Sequence, residues 1–245
     1  MESASFLATG AAALVFATTF LAGGRLRPLQ PFFRSERRAL SFGAGMSAAY
    51  VFVHLMPELH AAREAFAGSV RIELQFEGMG IYYLAMVGFL TFYGIDVMRG
   101  KLRESGDPAQ RAKAYRFHIG GFAAYVVLMS YLLVHNLESS RTSTALYVIP
   151  MVCHFLSLDH SLQLEHGARY EKGGRRLLAA MSFVGWGLGL LITLPPYALA
   201  LLVAFISGAI IMNNSVMELP SEKDGRFVPF MLGGLVYGLI LLPLG

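Results

Sequence analysis

Two short polar clusters interrupt the apolar sequence near the middle of this chain. The first contains His135, Asn136 and Glu138, and the second contains His154 and Asp159. Imidazole nitrogens, carboxylate oxygens and amide oxygens are ligands for borderline divalent cations such as zinc. These residue types therefore indicate a site that binds a divalent metal ion.

The first cluster has the spacing of one helix face. His135 and Glu138 are three residues apart, so on a continuous helix they lie on the same side, and Asn136 can add an amide oxygen. The alternative is a polar end of an apolar helix, in which His135 caps the helix or pairs with Arg141. The residues alone leave both interpretations open.

The second cluster lies deep in a hydrophobic stretch, where an ionisable group costs several kcal/mol unless it is paired or hydrated. This depth favours a functional role for His154 and Asp159. The two residues are five apart, which places them about 140° apart on an ideal helix. They can therefore share one ion only if the helix bends.

Three further polar positions allow simpler explanations. His54 lies beside Pro57, where it can bond to a backbone carbonyl that the proline leaves free. Asn213 and Asn214 fit hydrogen bonds between membrane helices, with a contact to a substrate path as the alternative.

The elements that carry these clusters are long and apolar. The chain has 245 residues, of which 55% are hydrophobic and 15% are charged, whereas a soluble domain carries about a quarter charged residues. A hydrophobic stretch of about 20 residues spans a bilayer. We predict an all-α polytopic membrane protein with one integral domain over residues 1–245. The eight predicted spans are 4–22, 40–57, 78–98, 117–136, 144–163, 177–194, 197–216 and 227–244.

The positive charges are concentrated in every second connection between the predicted spans. Seventeen of the twenty Lys and Arg residues fall in connections one, three, five and seven, and only Arg63, Arg71 and Arg141 fall in the even ones. By the positive-inside rule the odd connections are cytoplasmic and both termini lie outside the cell (inner) membrane. Such charge flanks helices next to an anionic leaflet and does not form the single stripe of a nucleic-acid-binding protein.

Spans two and seven share a pattern that indicates an inverted repeat. Gly45 precedes Pro57 by twelve residues, and Gly208 precedes Pro220 by twelve. Because the sided charge makes these spans antiparallel, we predict that spans 1–3 and 6–8 are inverted three-helix repeats around spans 4 and 5. Coincidence is the alternative, since Gly and Pro are common in membrane helices.

With these residues in place, the chain resembles the ZIP family of divalent metal transporters over nearly its whole length. The segment His-Leu-Met-Pro-Glu at 54–58 resembles the HLLPE segment of that family, and 135–138 resembles its HNxxE motif. The segment 154–159 is similar to its HExPHE motif, with Asp159 in place of the last acid. Residues 167–178 resemble the basic link before span six, and 207–220 resemble span seven.

The resemblance implies an eight-span protein that moves a divalent cation, of the zinc or iron class, down a gradient into the cytoplasm without breaking a bond. It implies His154 and Asp159 as deep metal ligands and His135, Asn136 and Glu138 as outer ones. The cation and the lipid bilayer are the expected partners, with a homodimer left open. An enzyme is not expected, because no positioned nucleophile and no HExxH segment is present.

Several positions depart from the family pattern. One residue is missing between Asn136 and Glu138, Phe155 and Leu158 stand where the family has ligands, and span six has no acid. A tight turn near residue 140 would also leave His154 roughly 12 Å deeper than His135. These departures favour a single weaker or displaced site over a two-metal centre. The alternative function is a ZIP-fold protein that has lost transport and serves as a metal sensor or membrane scaffold.

Overall fold

The computed structural model describes residues 3–22, 36–69, 78–104, 107–136, 141–215 and 226–242. For residues 3–5, 36–37, 68–69, 103, 136 and 141–147 it describes the main chain alone. Every regular element in these ranges is helical, which confirms the all-α prediction. The described ranges contain eight helices. They are α1 (Ser3–Ala22), α2 (Glu36–Tyr50, a π-helical turn Val51–Leu55, then Met56–Ser69), α3 (Met79–Glu104), α4 (Pro108–Asn136), α5 (Arg141–His166), α6 (a π-helical turn Tyr170–Gly174, then Arg175–Leu191), α7 (Pro196–Asn213) and α8 (Phe227–Leu241).

The helix ends follow local chemistry more closely than hydrophobic length. Helix α4 begins at Pro108, well before the predicted span at 117. Its first turns are rich in Ala, Gln, Arg and Lys, which are strong helix formers. The helix therefore begins in a segment that is too polar to count as a membrane span. Helix α7 begins at Pro196, directly after Pro195, because a proline in the first turn loses no helical hydrogen bond.

Four of the described helices are long and apolar enough to cross a membrane: Arg38–Ala67, Met79–Leu102, Pro108–His135 and Pro196–Asn213. Two shorter apolar helices, Phe6–Ala22 and Phe227–Leu241, accompany them. Large apolar side chains are exposed around the outside of the bundle, among them Phe52, Tyr83, Leu191 and Leu239. An outer surface with so many apolar side chains fits contact with lipid and not with water. The chain therefore has the helices and the surface of a membrane protein.

The helices form two groups, which also contact each other through α3 with α4 and through α2 with α5. One group contains α1, α4, α5 and α6, and the other contains α2, α3, α7 and α8. Within the first group α4 and α6 run parallel, since Gly185 lies against Ser130 and Gly189 lies against Val134. Helix α1 joins this group through the Trp186 indole, which donates to the hydroxyl of Thr9 at 3.1 Å.

The second group is held by two helix pairs that touch at their backbones. Helices α2 and α8 meet where Gly45 lies against the carbonyl of Phe230 and Gly233 lies against that of Phe42. The pair α7 and α3 meets in the same way, with Gly208 against Ala85 and Gly88 against Phe205. A Cβ at any of these four glycines would overlap a main-chain oxygen, so only glycine permits this approach.

Helices α2 and α7 each contain a π-helical turn. The turn in α2 begins at Val51, six residues after Gly45. The turn at the end of α7 begins at Asn214, six residues after Gly208. Such π turns insert one residue into the helix and are frequent at functional sites. In α2 the turn brings His54 to within 4.0 Å of Glu58.

A matched pair of substitutions tests the glycine contacts. We expect Gly208→Ala to destabilise the protein by about 1–3 kcal/mol, because the added Cβ overpacks the α3–α7 contact. Gly94 lies on α3 with no atom near its Cβ position, so Gly94→Ala should be neutral or stabilise by up to about 1 kcal/mol through helix propensity. Unfolding of the detergent-purified variants measures both, and equal stability of the two variants would contradict the contact.

Candidate functional site

The polar residues of the first helix group lie along the antiparallel contact of α4 and α5. His118 near the start of α4 meets His166 at the end of α5, and Tyr125 further along α4 meets His154 in the middle of α5. Two polar levels are therefore formed between these helices, one at their common end and one at mid-length.

His154 is enclosed at the middle level. Its side chain is 0% exposed, and the hydroxyl of Tyr125 lies 2.8 Å from its Nε2. Phe155 packs beside it and is itself covered by Phe16 and Phe20 of α1. The imidazole is therefore buried beside aromatic rings and is hydrogen-bonded to Tyr125.

Asp159 is bound by a dense network further along α5. Arg175 donates from Nε to Oδ1 and from Nη2 to Oδ2, both at 2.9 Å, and the Tyr170 hydroxyl donates to Oδ1 at 2.8 Å. Gln163 accepts a further bond from Arg175 and donates to Glu171 at 2.7 Å. The two parallel bonds from one guanidinium give the strongest form of Arg–carboxylate pair.

The first turns of α6 supply Tyr170 and Arg175, the two partners of Asp159. Burial and then the Asp159 charge raise the pKa of Tyr170, so the phenol stays protonated and remains a donor. Burial alone would lower the pKa of Arg175, but its bonds to and the charge of Asp159 raise it overall. The carboxylate is thus neutralised by a permanent cation, which leaves it little attraction for a metal ion while Arg175 stays in place.

His135 is set apart from these residues. Its ring stacks on Tyr131 with centroids 4.7 Å apart, and its buried Nε2 has no hydrogen-bond partner among the described residues. Ten residues of α4 separate it from Tyr125, which is about 15 Å along the helix axis. The structure therefore places His135 far from His154, while the predicted turn near residue 140 lies outside the described residues. The side chain of Asn136 and all of Glu138 lie outside the described residues.

The five predicted ligands thus occupy three different surroundings where they are described. His154 faces Tyr125, Asp159 faces Arg175, and His135 faces Tyr131. No single ion contacts all three without rearrangement, and metal binding by any of them stays a prediction.

A narrow cleft lies between α2, α4 and α7. Its volume is about 240 Å³ including space open to the outside. The interior holds about one water molecule. The walls are mostly apolar and the polar exceptions are Glu58 and Tyr50 of α2 and Ser207 of α7. The full lining is Tyr50, Leu55, Glu58, Met129, Leu132, Val203, Ile206, Ser207 and Ile210.

Polar atoms without partners also occur further along α7. Ser207 and Asn213 are buried, and neither the hydroxyl of Ser207 nor the amide of Asn213 has a hydrogen-bond partner among the described residues. The two residues are six apart, which places them about 9 Å apart along the helix axis and about 120° apart around it. Next to them, Asn214 donates to the Ser47 hydroxyl of α2 at 2.9 Å.

A cluster that the sequence prediction missed lies at the common end of α4 and α5. His118 Nδ1 is 2.9 Å from His166 Nε2 and 3.6 Å from Glu165 Oε2. Glu165 also pairs with Arg99 of α3, which bonds Asp96. His118 and the pair 165–166 are far apart in sequence. The one available signal was that each stands at the end of an apolar stretch that the charge pattern assigns to the same side.

Comparison with known proteins finds no match for this chain among protein-family models, curated proteins or solved structures. The resemblance to the ZIP family therefore rests on the motifs at 54–58, 135–138, 154–159 and 207–220.

Removal of Arg175 tests the network around Asp159. We expect Arg175→Met to destabilise the protein by about 3 kcal/mol, because it leaves a buried carboxylate without its countercharge. Arg176 is the adjacent exposed residue, and Arg176→Met should change stability by less than about 0.5 kcal/mol. Thermal unfolding in detergent compares the two variants.

A double variant separates charge from packing. Asp159→Leu in the Arg175→Met background should recover most of the lost stability, since no unpaired charge then remains buried. Equal stability of Arg175→Met and Arg176→Met would contradict the network.

Proposed function

We propose that this chain is an integral membrane protein with eight membrane crossings, built as inverted three-helix units α1–α3 and α6–α8 around α4 and α5, and that it carries a divalent cation of the zinc or iron class into the cytoplasm. The proposed arrangement and substrate are those that the ZIP resemblance implies. The support comes from helix directions, from matching contacts in the two units and from buried polar groups between them.

The helix directions support alternating crossings. Helices α2 and α7 are antiparallel, because Ser47 near the start of α2 bonds Asn214 past the end of α7 while Leu55 faces Val203 in the cleft. Parallel α4 and α6 and antiparallel α4 and α5 fit the same scheme. Each of these relations is the one expected if every connection returns the chain to the opposite side.

The matching contacts support the repeat. Phe42 and Gly45 of α2 meet Gly233 and Phe230 of α8, and Phe205 and Gly208 of α7 meet Gly88 and Ala85 of α3. The glycine and phenylalanine are three residues apart in α2 and in α7, and the π turn follows each glycine at the same distance. Equivalent residues making equivalent contacts are what two copies of one structural unit produce.

One observation carries the transport proposal: two buried side chains of α7, Ser207 and Asn213, have polar atoms without hydrogen-bond partners among the described residues. Ser207 lines the cleft between α2, α4 and α7, and Asn213 follows it further along α7. An unpaired polar atom costs several kcal/mol in hydrocarbon, so these side chains are costly unless something polar passes them. A partly hydrated cation would supply the missing partners during its passage.

The transport step needs no covalent chemistry. A cation that enters exchanges some of its waters for a few nitrogen and oxygen ligands, which must hold it weakly enough to release it. His135, Asn136 and Glu138 are the proposed outer ligands, and His154 and Asp159 the deep ones. For Asp159 to take part, Arg175 must swing away, and the cleft must widen beyond about one water.

Uptake into proteoliposomes tests this proposal. We expect saturable entry of Zn²⁺ or Fe²⁺ with the wild-type chain, and a decrease of at least about tenfold in His154→Ala, which removes a ligand from a water-poor site. Asn213→Leu, similar in volume but apolar, should also lower uptake. His60→Ala removes an exposed imidazole bonded to Tyr82 and should leave uptake unchanged.

Two results bear on different parts of the proposal. Wild-type uptake no faster than that of empty liposomes would refute transport. Uptake by His154→Ala equal to that of the wild type, in protein that elutes and unfolds normally, would refute the ligand assignment alone.

The second candidate is a protein of the same arrangement that no longer transports and acts as a metal-binding sensor or membrane scaffold. The closed network of Asp159, Arg175 and Tyr170 favours it, because an Arg-neutralised carboxylate stabilises a helix link without any ion.

Metal content after purification and metal-dependent thermal shift separate the two candidates. A transporter or sensor should gain thermal stability in micromolar Zn²⁺ or Fe²⁺, by an amount set by the ratio of metal concentration to Kd. A chain that contains no metal and shows no shift with any divalent ion would support the scaffold, and binding without uptake would support the sensor.

A further inference from the structure

We propose that His118, Glu165 and His166 form a second divalent-cation site, separate from the transport path, at the end of the bundle where α4 begins and α5 ends. Among the described residues this is the one group of three or more His, Cys, Asp or Glu side chains with ligand atoms within 4.8 Å of each other. The inference does not depend on transport, because it concerns binding at a fixed place in the fold.

The spacing of the three ligand atoms fits a tetrahedral ion. Metal–ligand bonds of about 2.0–2.1 Å at tetrahedral angles separate neighbouring ligand atoms by about 3.3 Å. The observed separations are 2.9 Å between His118 Nδ1 and His166 Nε2, 3.6 Å between His118 Nδ1 and Glu165 Oε2, and 4.0 Å between His166 Nε2 and Glu165 Oε2. These values bracket the ideal one, so small side-chain rotations suffice.

The two oxygens of Glu165 have different neighbours. Oε1 pairs with Arg99, whereas Oε2 faces both imidazoles. Arg99 therefore orients the carboxylate and leaves one oxygen directed at the proposed ion. Arg99 also pairs with Asp96, so its charge is shared between two carboxylates.

Aromatic rings hold the two imidazoles in place. Tyr115 lies edge-on to His166 and Phe122 lies edge-on to His118, each with centroids 5.0 Å apart. His118 is 1% exposed, while the side chains of Glu165 and His166 are each 11% exposed. One side of the cluster therefore reaches solvent, where a water can supply the fourth ligand of a site with three protein ligands.

The proposed site joins the ends of two helices that the charge pattern places at the cytoplasmic face. A bound ion would fix α4 against α5 at that end. Two neutral imidazoles with one carboxylate suit Zn²⁺ or Co²⁺ better than Mg²⁺ or Ca²⁺, which prefer oxygen ligands alone.

Cobalt spectroscopy tests the site directly. The full chain, purified in detergent and stripped with chelator, should bind one Co²⁺ with the intense visible absorption of tetrahedral coordination. We expect Glu165→Gln and His166→Gln each to weaken this binding at least about 100-fold, since loss of a ligand costs more than the 10–100-fold typical of an outer partner. Both side chains are partly exposed, so these variants should fold.

His60→Gln is the matched control, because His60 lies 3.7 Å from Glu64 in an exposed His–Glu pair with no third His, Cys, Asp or Glu ligand beside it among the described residues. It should bind Co²⁺ like the wild type. An absent visible band, or a band of equal affinity in His166→Gln, would overturn the inference.

A His154→Gln variant separates this site from the proposed transport path. Retention of the band with loss of uptake supports two distinct sites. Loss of the band in His154→Gln with its retention in His166→Gln would assign the ion to the path and refute the second site. Absence of uptake in every variant would refute transport and leave the cobalt result to stand by itself.

Discussion

A polar side chain between apolar helices must find a partner, because its solvation is lost and nothing in hydrocarbon replaces it. The contacts of α4, α5 and α6 follow from this constraint. Tyr125 forms a hydrogen bond with His154, while Arg175 and Tyr170 donate hydrogen bonds to Asp159. Each bond joins residues of two different helices. Pairing of polar groups therefore sets the register in which these three helices pack.

The helices of the other group depend mainly on close approach of their main chains. Glycines at 45, 88, 208 and 233 let main chains touch, so α2 packs tightly with α8 and α3 with α7. Hydrogen bonds add to these contacts, among them the bond from Asn214 of α7 to Ser47 of α2. The unpaired polar atoms of Ser207 and Asn213 lie on α7, within this group, so these atoms belong to helices that close packing holds in place.

The sequence predicted the helices and part of their chemistry. Each described helix overlaps a predicted apolar stretch, although four of the described helices are long and apolar enough to cross a membrane. The shared spacing after Gly45 and Gly208 marked two positions that both meet a neighbouring main chain. The partner of Asp159 could not be predicted, because the π-helical turn at 170–174 determines where Arg175 lies relative to α5. The group of His118 with Glu165 was missed for a similar reason, since it depends on the register between two antiparallel helices that no local pattern fixes.

Asp159 and Glu165 show how two acidic residues of one helix can have different roles. Both acids lie on α5 and both pair with an arginine. Arg175 takes both oxygens of Asp159, so the pair closes on itself. Arg99 binds Glu165 through Oε1 and is shared with Asp96, while Oε2 faces two imidazoles. An arginine that binds both oxygens of a carboxylate leaves neither of them for a metal ion. An arginine that is shared with a second acid binds one oxygen and orients the other toward further ligands. By this criterion the group that best suits a resident ion lies at the end of α5 and not at the predicted motif in its middle.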